Sequence, residues 1–137
     1  MTAKEFLSQA WRIDLRINSK LEQVKSLRAL AEKASSTLSP VPYSGTRNIH
    51  RMEDVIVKIL DLESEINSDI GTLVDTKRKI GEVLSRINPA EYRTLLELRY
   101  ICCRTWEEIA AEMVYSVRSI HRIHGDALQE LGKIIAA

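Results

Sequence analysis

The side chains best placed to do chemistry in this chain stand close together between Thr105 and His124, in the stretch TWEEIAAEMVYSVRSIHRIH. Arg118 and Arg122 are four residues apart and so share one face of a helix, where guanidinium groups suit bidentate contact with guanine or a clamp on phosphates. His121 falls beside them, and no acid occupies that face. The chemistry on offer is recognition of a polyanion. The serines nearest a histidine, Ser116 and Ser119, have no acid to complete a nucleophilic triad, and no glycine-rich phosphate loop occurs. His121, His124, Cys102 and Cys103 match no zinc-ligand spacing, since neighbouring cysteines point in different directions. No catalytic residue, metal or cofactor is expected.

Two capping signals position these residues. Thr105-Trp106-Glu107-Glu108 reads as a capping box that opens a short helix with Ile109, Ala110 and Met113. Ser116 caps the next, Val117 to about Leu131, whose spacing turns Ile120, Ile123, Ala127, Leu128 and Leu131 inward. Arg118, Ser119, His121, Arg122 and Gly125 are left outward or flanking. Between Thr105 and Ser116 there is room for only a few helical turns and one tight turn, which is what a helix-turn-helix requires. Its second helix would enter the major groove, making Ser116, Val117, Arg118, Ser119, His121 and Arg122 the expected DNA-binding residues. His121 is expected at the DNA backbone, His124 at the helix edge, and Trp106 against the preceding helix. Val114 stands where such motifs often carry glycine with positive φ; a β-branched residue is strained there, so a locally different turn is expected. Glu107, Glu108 and Glu112 form a solvated face or a contact surface for RNA polymerase.

The preceding helix starts at Asn88-Pro89-Ala90-Glu91, with Asn88 as N-cap, Pro89 at the first helical position and Glu91 closing a capping box. It carries Tyr92, Leu95, Leu96, Leu98 and Arg99 to about Tyr100. Before it lie two long amphipathic stretches. From about Thr2 to Ala34, apolar residues recur at Ala10, Ile13, Ile17, Leu21, Val24, Leu27, Ala31 and Ala34. From about Ile49 to Ile87, a heptad-like seam runs through Met52, Val55, Ile59, Leu62, Ile66, Leu73, Ile80, Val83 and Ile87, interrupted by Asp69 and Thr76. Gly71 and Gly81 weaken that helix, and a bend is expected near one of them. Ser35 to Asn48, with two prolines, a glycine and four serines, reads as a loop whose tail, with Arg47, His50 and Arg51, could touch phosphate or a partner. Two long helices so joined make an antiparallel hairpin that leaves Ile56, Leu60, Ile70 and Leu84 only partly covered. That exposure asks for a homo-oligomer, most simply a dimer.

Composition limits the alternatives. Aromatic residues are 5% of the chain and Gly and Pro together number eight, as suits an all-α protein. The formal charge of +1 excludes a generic polycation, so any nucleic-acid binding must come from local distribution of charge. No apolar run is long enough to span a bilayer and the first residues have no apolar signal region, so a cytoplasmic protein is expected. The adjacent cysteines suit a reduced compartment.

The segment YRTLLELRYICCRTWEEIAAEMVYSVRSIHRIHGDALQEL resembles the C-terminal promoter-reading region of sigma-70-type factors, region 4. It carries Leu-Arg-Tyr, then Glu-Glu-Ile-Ala, then a serine and a helix ending in Ala-Leu. The stretch RMEDVIVKILDLESEI after a Ser/Pro-rich loop looks like the small phage and prophage regulators of the RinA/ArpU-like group in Gram-positive bacteria and an allied uncharacterised family. The resemblance implies a regulator of phage late genes, with Val117, Arg118, His121 and Arg122 facing double-stranded DNA at the nucleoid of a bacterial host. The expected architecture is a long antiparallel, coiled-coil-like helical hairpin over 1–87, for oligomerisation, followed by a three-helix helix-turn-helix domain over 88–137. The expected function is sequence-specific transcriptional regulation by an oligomer. The alternatives are a DNA-packaging subunit like a phage small terminase and a module that docks on RNA polymerase without DNA specificity.

Overall fold

The structure, a computed structural model, describes the backbone of residues 1–36 and 42–136 and the side chains of 1–34 and 50–136. It is all-α among the described residues, as expected. Helix α1 spans Ala3–Ser36, α2 Pro42–Leu84, α3 Ala90–Leu96, α4 Trp106–Met113 and α5 Val117–Ala136, and a π-helical turn over Glu97–Ile101 follows α3 directly.

Local chemistry explains the ends. A complete capping box opens α1: the Glu5 N–H donates to the Thr2 hydroxyl at 3.1 Å and the Thr2 N–H donates to the Glu5 carboxylate at 3.2 Å. Helix α2 begins at Pro42, earlier than the expected Ile49, because proline is well suited to the first helical position, where its missing N–H costs nothing. The expected loop over Ser35 to Asn48 is thus helical at both ends, its middle (37–41) lies outside the described residues, and so does the Arg47 side chain. Helix α2 ends at Leu84 rather than Ile87. The start of α3 also differs from expectation. Pro89 is the N-cap and makes no side-chain cap bond, so Asn88 does not cap and Glu91 closes no box.

Contacts divide the chain into two compact units, one of Met1–Asp14 with Thr72–Ala137 and one of Leu15–Gly71. In the second, Ile17 and Val24 of α1 and Ile59, Leu62 and Ile66 of α2 are buried. Lys20 Nζ donates to Asp69 at 2.6 Å, Arg28 pairs with Glu63, and Arg16 lies 4.0 Å from Asp69. Partners fall on α2 as they rise on α1, so these segments run antiparallel. Asp69, which breaks the apolar seam in the sequence, is the acceptor for Lys20. Leu21, expected on the inner stripe, is exposed, along with Leu15, Leu30, Ile56, Val57, Leu60 and Ile70. A single helix pair has one seam to bury, and these side chains flank it.

The first unit has the larger core. Leu7 and Ala10 of α1 and Ile80 and Leu84 of α2 join Ile87, Leu95, Leu96 and Tyr100, Ile109 and Ala110 of α4, and Ile120, Ile123, Ala127 and Leu131 of α5 in one buried cluster. Leu84, expected to be only partly covered, is fully buried there. Each such Leu or Ile removed from water contributes roughly 1.5–3 kcal/mol. Helices α3 and α4 both pack against α5.

Candidate nucleic-acid interface

Helix α4 starts as the sequence indicates: Thr105 is the N-cap, and its hydroxyl accepts the Glu108 N–H at 3.2 Å. The helix stops after two turns at Val114, which is in the left-handed region with φ 61° and ψ 47°. The locally different turn expected there is therefore not formed. Instead the Val114 and Tyr115 N–H groups both donate to the Ala110 carbonyl, the latter at 3.0 Å, which is the hydrogen bonding that makes a left-handed helix stop. These main-chain bonds and the packing of Ile109 and Ala110 hold valine where glycine fits better.

Two residues later Ser116 caps α5. Its hydroxyl accepts the Ser119 N–H at 3.1 Å and its carbonyl accepts the Ile120 N–H at 3.0 Å. Ile120, Ile123, Ala127 and Leu131 are buried, so the opposite side of the helix faces outward. Arg118, His121 and Arg122 are exposed on it, Ser116 and Val117 are exposed at its start, and Ser119 is half-buried. Neither Arg118 nor Arg122 takes part in an ion pair among the described residues. By contrast, Arg104 pairs with Glu112 of α4, leaving Glu107 and Glu108 exposed to solvent. At the edge of the face the neighbouring Glu91 carboxylate, as a hydrogen-bond acceptor and as a charge, pushes the Tyr115 pKa up, and nearby Arg122 opposes it.

Beside this face lies a stacked cluster that sequence reasoning did not find. Arg99, on the π-helical turn, has its guanidinium 4.2 Å from the Trp106 ring and 5.3 Å from the Trp11 ring, and it donates to the Arg104 carbonyl at 2.9 Å. Trp106 does face the preceding segment, as expected, through that arginine. On its other side it meets His121 at 4.6 Å and, edge-on, His124 at 4.7 Å. His124 is half-buried and 2.7 Å from the Tyr100 hydroxyl. Burial is the main reason its pKa falls from 6.5 to about 4, and the charges of Arg99, His121 and Lys4 push the same way. His124 is therefore neutral at physiological pH and packs half-buried against Tyr100 and Trp106. Burial raises the Tyr100 pKa, and Arg99 partly offsets it. The members of this cluster are scattered from position 11 to position 124, so no local spacing announces it.

Cys102 and Cys103 are exposed free thiols. No group of three or more His, Cys, Asp or Glu residues that could hold a metal occurs among the described residues, and no helix among them is long and apolar enough to cross a membrane. Residues 32–132 match the family described as "Protein of unknown function (DUF1492)". No curated protein and no solved structure matches the chain.

Proposed function

The chain belongs to the DUF1492 family, and from that premise we propose that it is a sequence-specific DNA-binding transcriptional regulator that works as an oligomer. The observation that carries this reading is the outward face of α5, where Arg118 and Arg122 stand exposed and, among the described residues, without ion pairs, on a helix locked from behind by Ile120 and Ile123. A short helix, a tight turn and a second helix with a cationic outer face make the helix-turn-helix pattern that places base-reading side chains in a major groove. Residues 88–137 would then carry the DNA contact and the helices over 1–87 the contact between copies. The resemblance of the sequence to phage and prophage regulators of the RinA/ArpU-like group supports activation of phage late genes, in the cytoplasm and at the nucleoid of a bacterial host. Exposed Glu107 and Glu108 offer a surface for RNA polymerase beside the DNA.

Two arginines per copy are few for tight binding, and pairing of copies on adjacent half-sites would multiply their effect. The exposed Ile56, Leu60 and Ile70 on α2 favour such pairing. Selection of bound duplexes from a random pool would give the site and its half-site spacing. The double variant Arg118→Ala/Arg122→Ala should then lose roughly 1–3 kcal/mol per bidentate base contact, with helix content unchanged. Binding of the selected site unaltered in that variant would refute the assignment. A mass measurement in solution separates a dimer, as regulation needs, from the large ring of a packaging subunit.

A further inference from the structure

Next to the stacked cluster, the unit that contains α5 holds an open cleft of about 310 Å³, lined by Trp11, Asp14, Arg99, Tyr100, Cys103 and Thr105. Two uncommon backbone conformations meet there: the π-helical turn that carries Arg99 and Tyr100, and Cys103 with φ 56°. Both cost stability relative to regular structure and concentrate at functional sites. The lining is mostly aromatic and apolar, with two charges of opposite sign.

Neither charge is used up among the described residues. Asp14 is half-buried, yet its carboxylate has no ion pair or hydrogen bond among the described residues. Arg99 rests its guanidinium against two indole rings and spends one N–H group on the Arg104 carbonyl, out of the five that a guanidinium offers. The two groups share the cleft without forming a salt bridge to each other. A half-buried aspartate without a partner among the described residues and a cation with spare donors, both lining one cleft, complement a molecule that carries both charges itself.

We propose that this cleft binds a small zwitterion with a flat apolar body, of the aromatic α-amino-acid class. Its ammonium group pairs with Asp14, its carboxylate with the free edge of Arg99, and its ring lies against Trp11 and Tyr100. The volume is at the small end of ligand pockets, about 300–1,000 Å³, and suits a ligand the size of one amino acid. This site does not depend on the nucleic-acid reading.

The test uses the full chain and L-phenylalanine, which is invisible where tryptophan emits. Trp11 and Trp106 are the two tryptophans of the chain and both lie against Arg99, so filling the cleft should alter their emission. The expected result is a saturable change, weakened about tenfold or more in Asp14→Asn, with thermal unfolding unaltered. Phenethylamine, which lacks the carboxylate, and phenylacetate, which lacks the ammonium, should each bind about tenfold or more weakly than phenylalanine. That comparison needs no variant and stands even if Asp14→Asn does not fold. The proposal is overturned if phenylalanine gives no saturable change up to about 10 mM, or if either single-charge analogue binds as well as phenylalanine. Wild-type affinity in a folded Asp14→Asn would overturn it too.

Discussion

Val114 gives the sharpest test of the turn before α5. Its φ of 61° and ψ of 47° place a β-branched side chain in the left-handed region, where contact between Cβ and the following carbonyl costs roughly 1–2 kcal/mol. The side chain is 87% exposed, so its removal sacrifices almost no burial. The bonds that close the turn run through the main-chain N–H groups of Val114 and Tyr115 and survive any substitution that keeps an N–H. Against the relief of strain stands the greater freedom of glycine in the unfolded chain, about 0.5–1 kcal/mol. Val114→Gly should therefore stabilise the protein by a difference of those two effects that spans roughly 0–1.5 kcal/mol and centres on about 0.75 kcal/mol. For a chain of this length the central value is a rise in Tm of roughly 2–5 °C. Val114→Ala keeps the Cβ and should gain less. Thermal unfolding followed by circular dichroism reads all three proteins side by side. A glycine variant less stable than wild type, or no better than the alanine variant, would mean that the valine does not occupy the left-handed region in solution.

His124 makes a second prediction through linkage. Its folded pKa, about 4, lies below its ordinary 6.5, so between those values the unfolded chain binds the proton and the folded chain does not. The stabilisation is fully present above 6.5 and is lost as the pH falls toward 4. Urea midpoints at neutral pH and midway between those values should drop more in wild type than in His124→Gln, and equal drops would refute the burial of a neutral imidazole. In the core, Ile120 is fully buried where α4 and α5 meet, and Ile120→Ala should cost about 2–5 kcal/mol of unfolding free energy. A loss below about 1 kcal/mol would contradict the packing that turns Arg118 and Arg122 outward.

Much of the architecture was legible without coordinates because it rests on local rules. Apolar spacing of three and four identified the helices and the inward residues Ile120, Ile123, Ala127 and Leu131, since the period of a helix is a property of the backbone. Thr105 and Ser116 marked the starts of α4 and α5 because a hydroxyl there meets a free N–H a few residues on. The same signal stands at Thr2 and Glu5, where hydroxyl and carboxylate close a capping box. Local rules failed where two of them competed. Serines, glycine and proline over 35–48 suggested a loop, yet proline also starts helices, and α2 begins on Pro42. At Asn88-Pro89 the capping pattern was complete on paper, but the cap fell to Pro89.

The sequence by itself thus determined which residues could be helical and which face of α5 is cationic, because both depend on neighbours only a few positions away. The tertiary structure alone decided the rest. Valine sits in a glycine conformation because bonds to Ala110 and the packing of Ile109 and Ala110 outweigh a strain of roughly 1–2 kcal/mol. Trp11, Arg99, Trp106 and His124, which lie up to 113 positions apart (124 − 11), stack into one cluster only when the core draws their helices together. Contacts between distant positions depend on the sum of the packing, and no spacing along the chain records that sum.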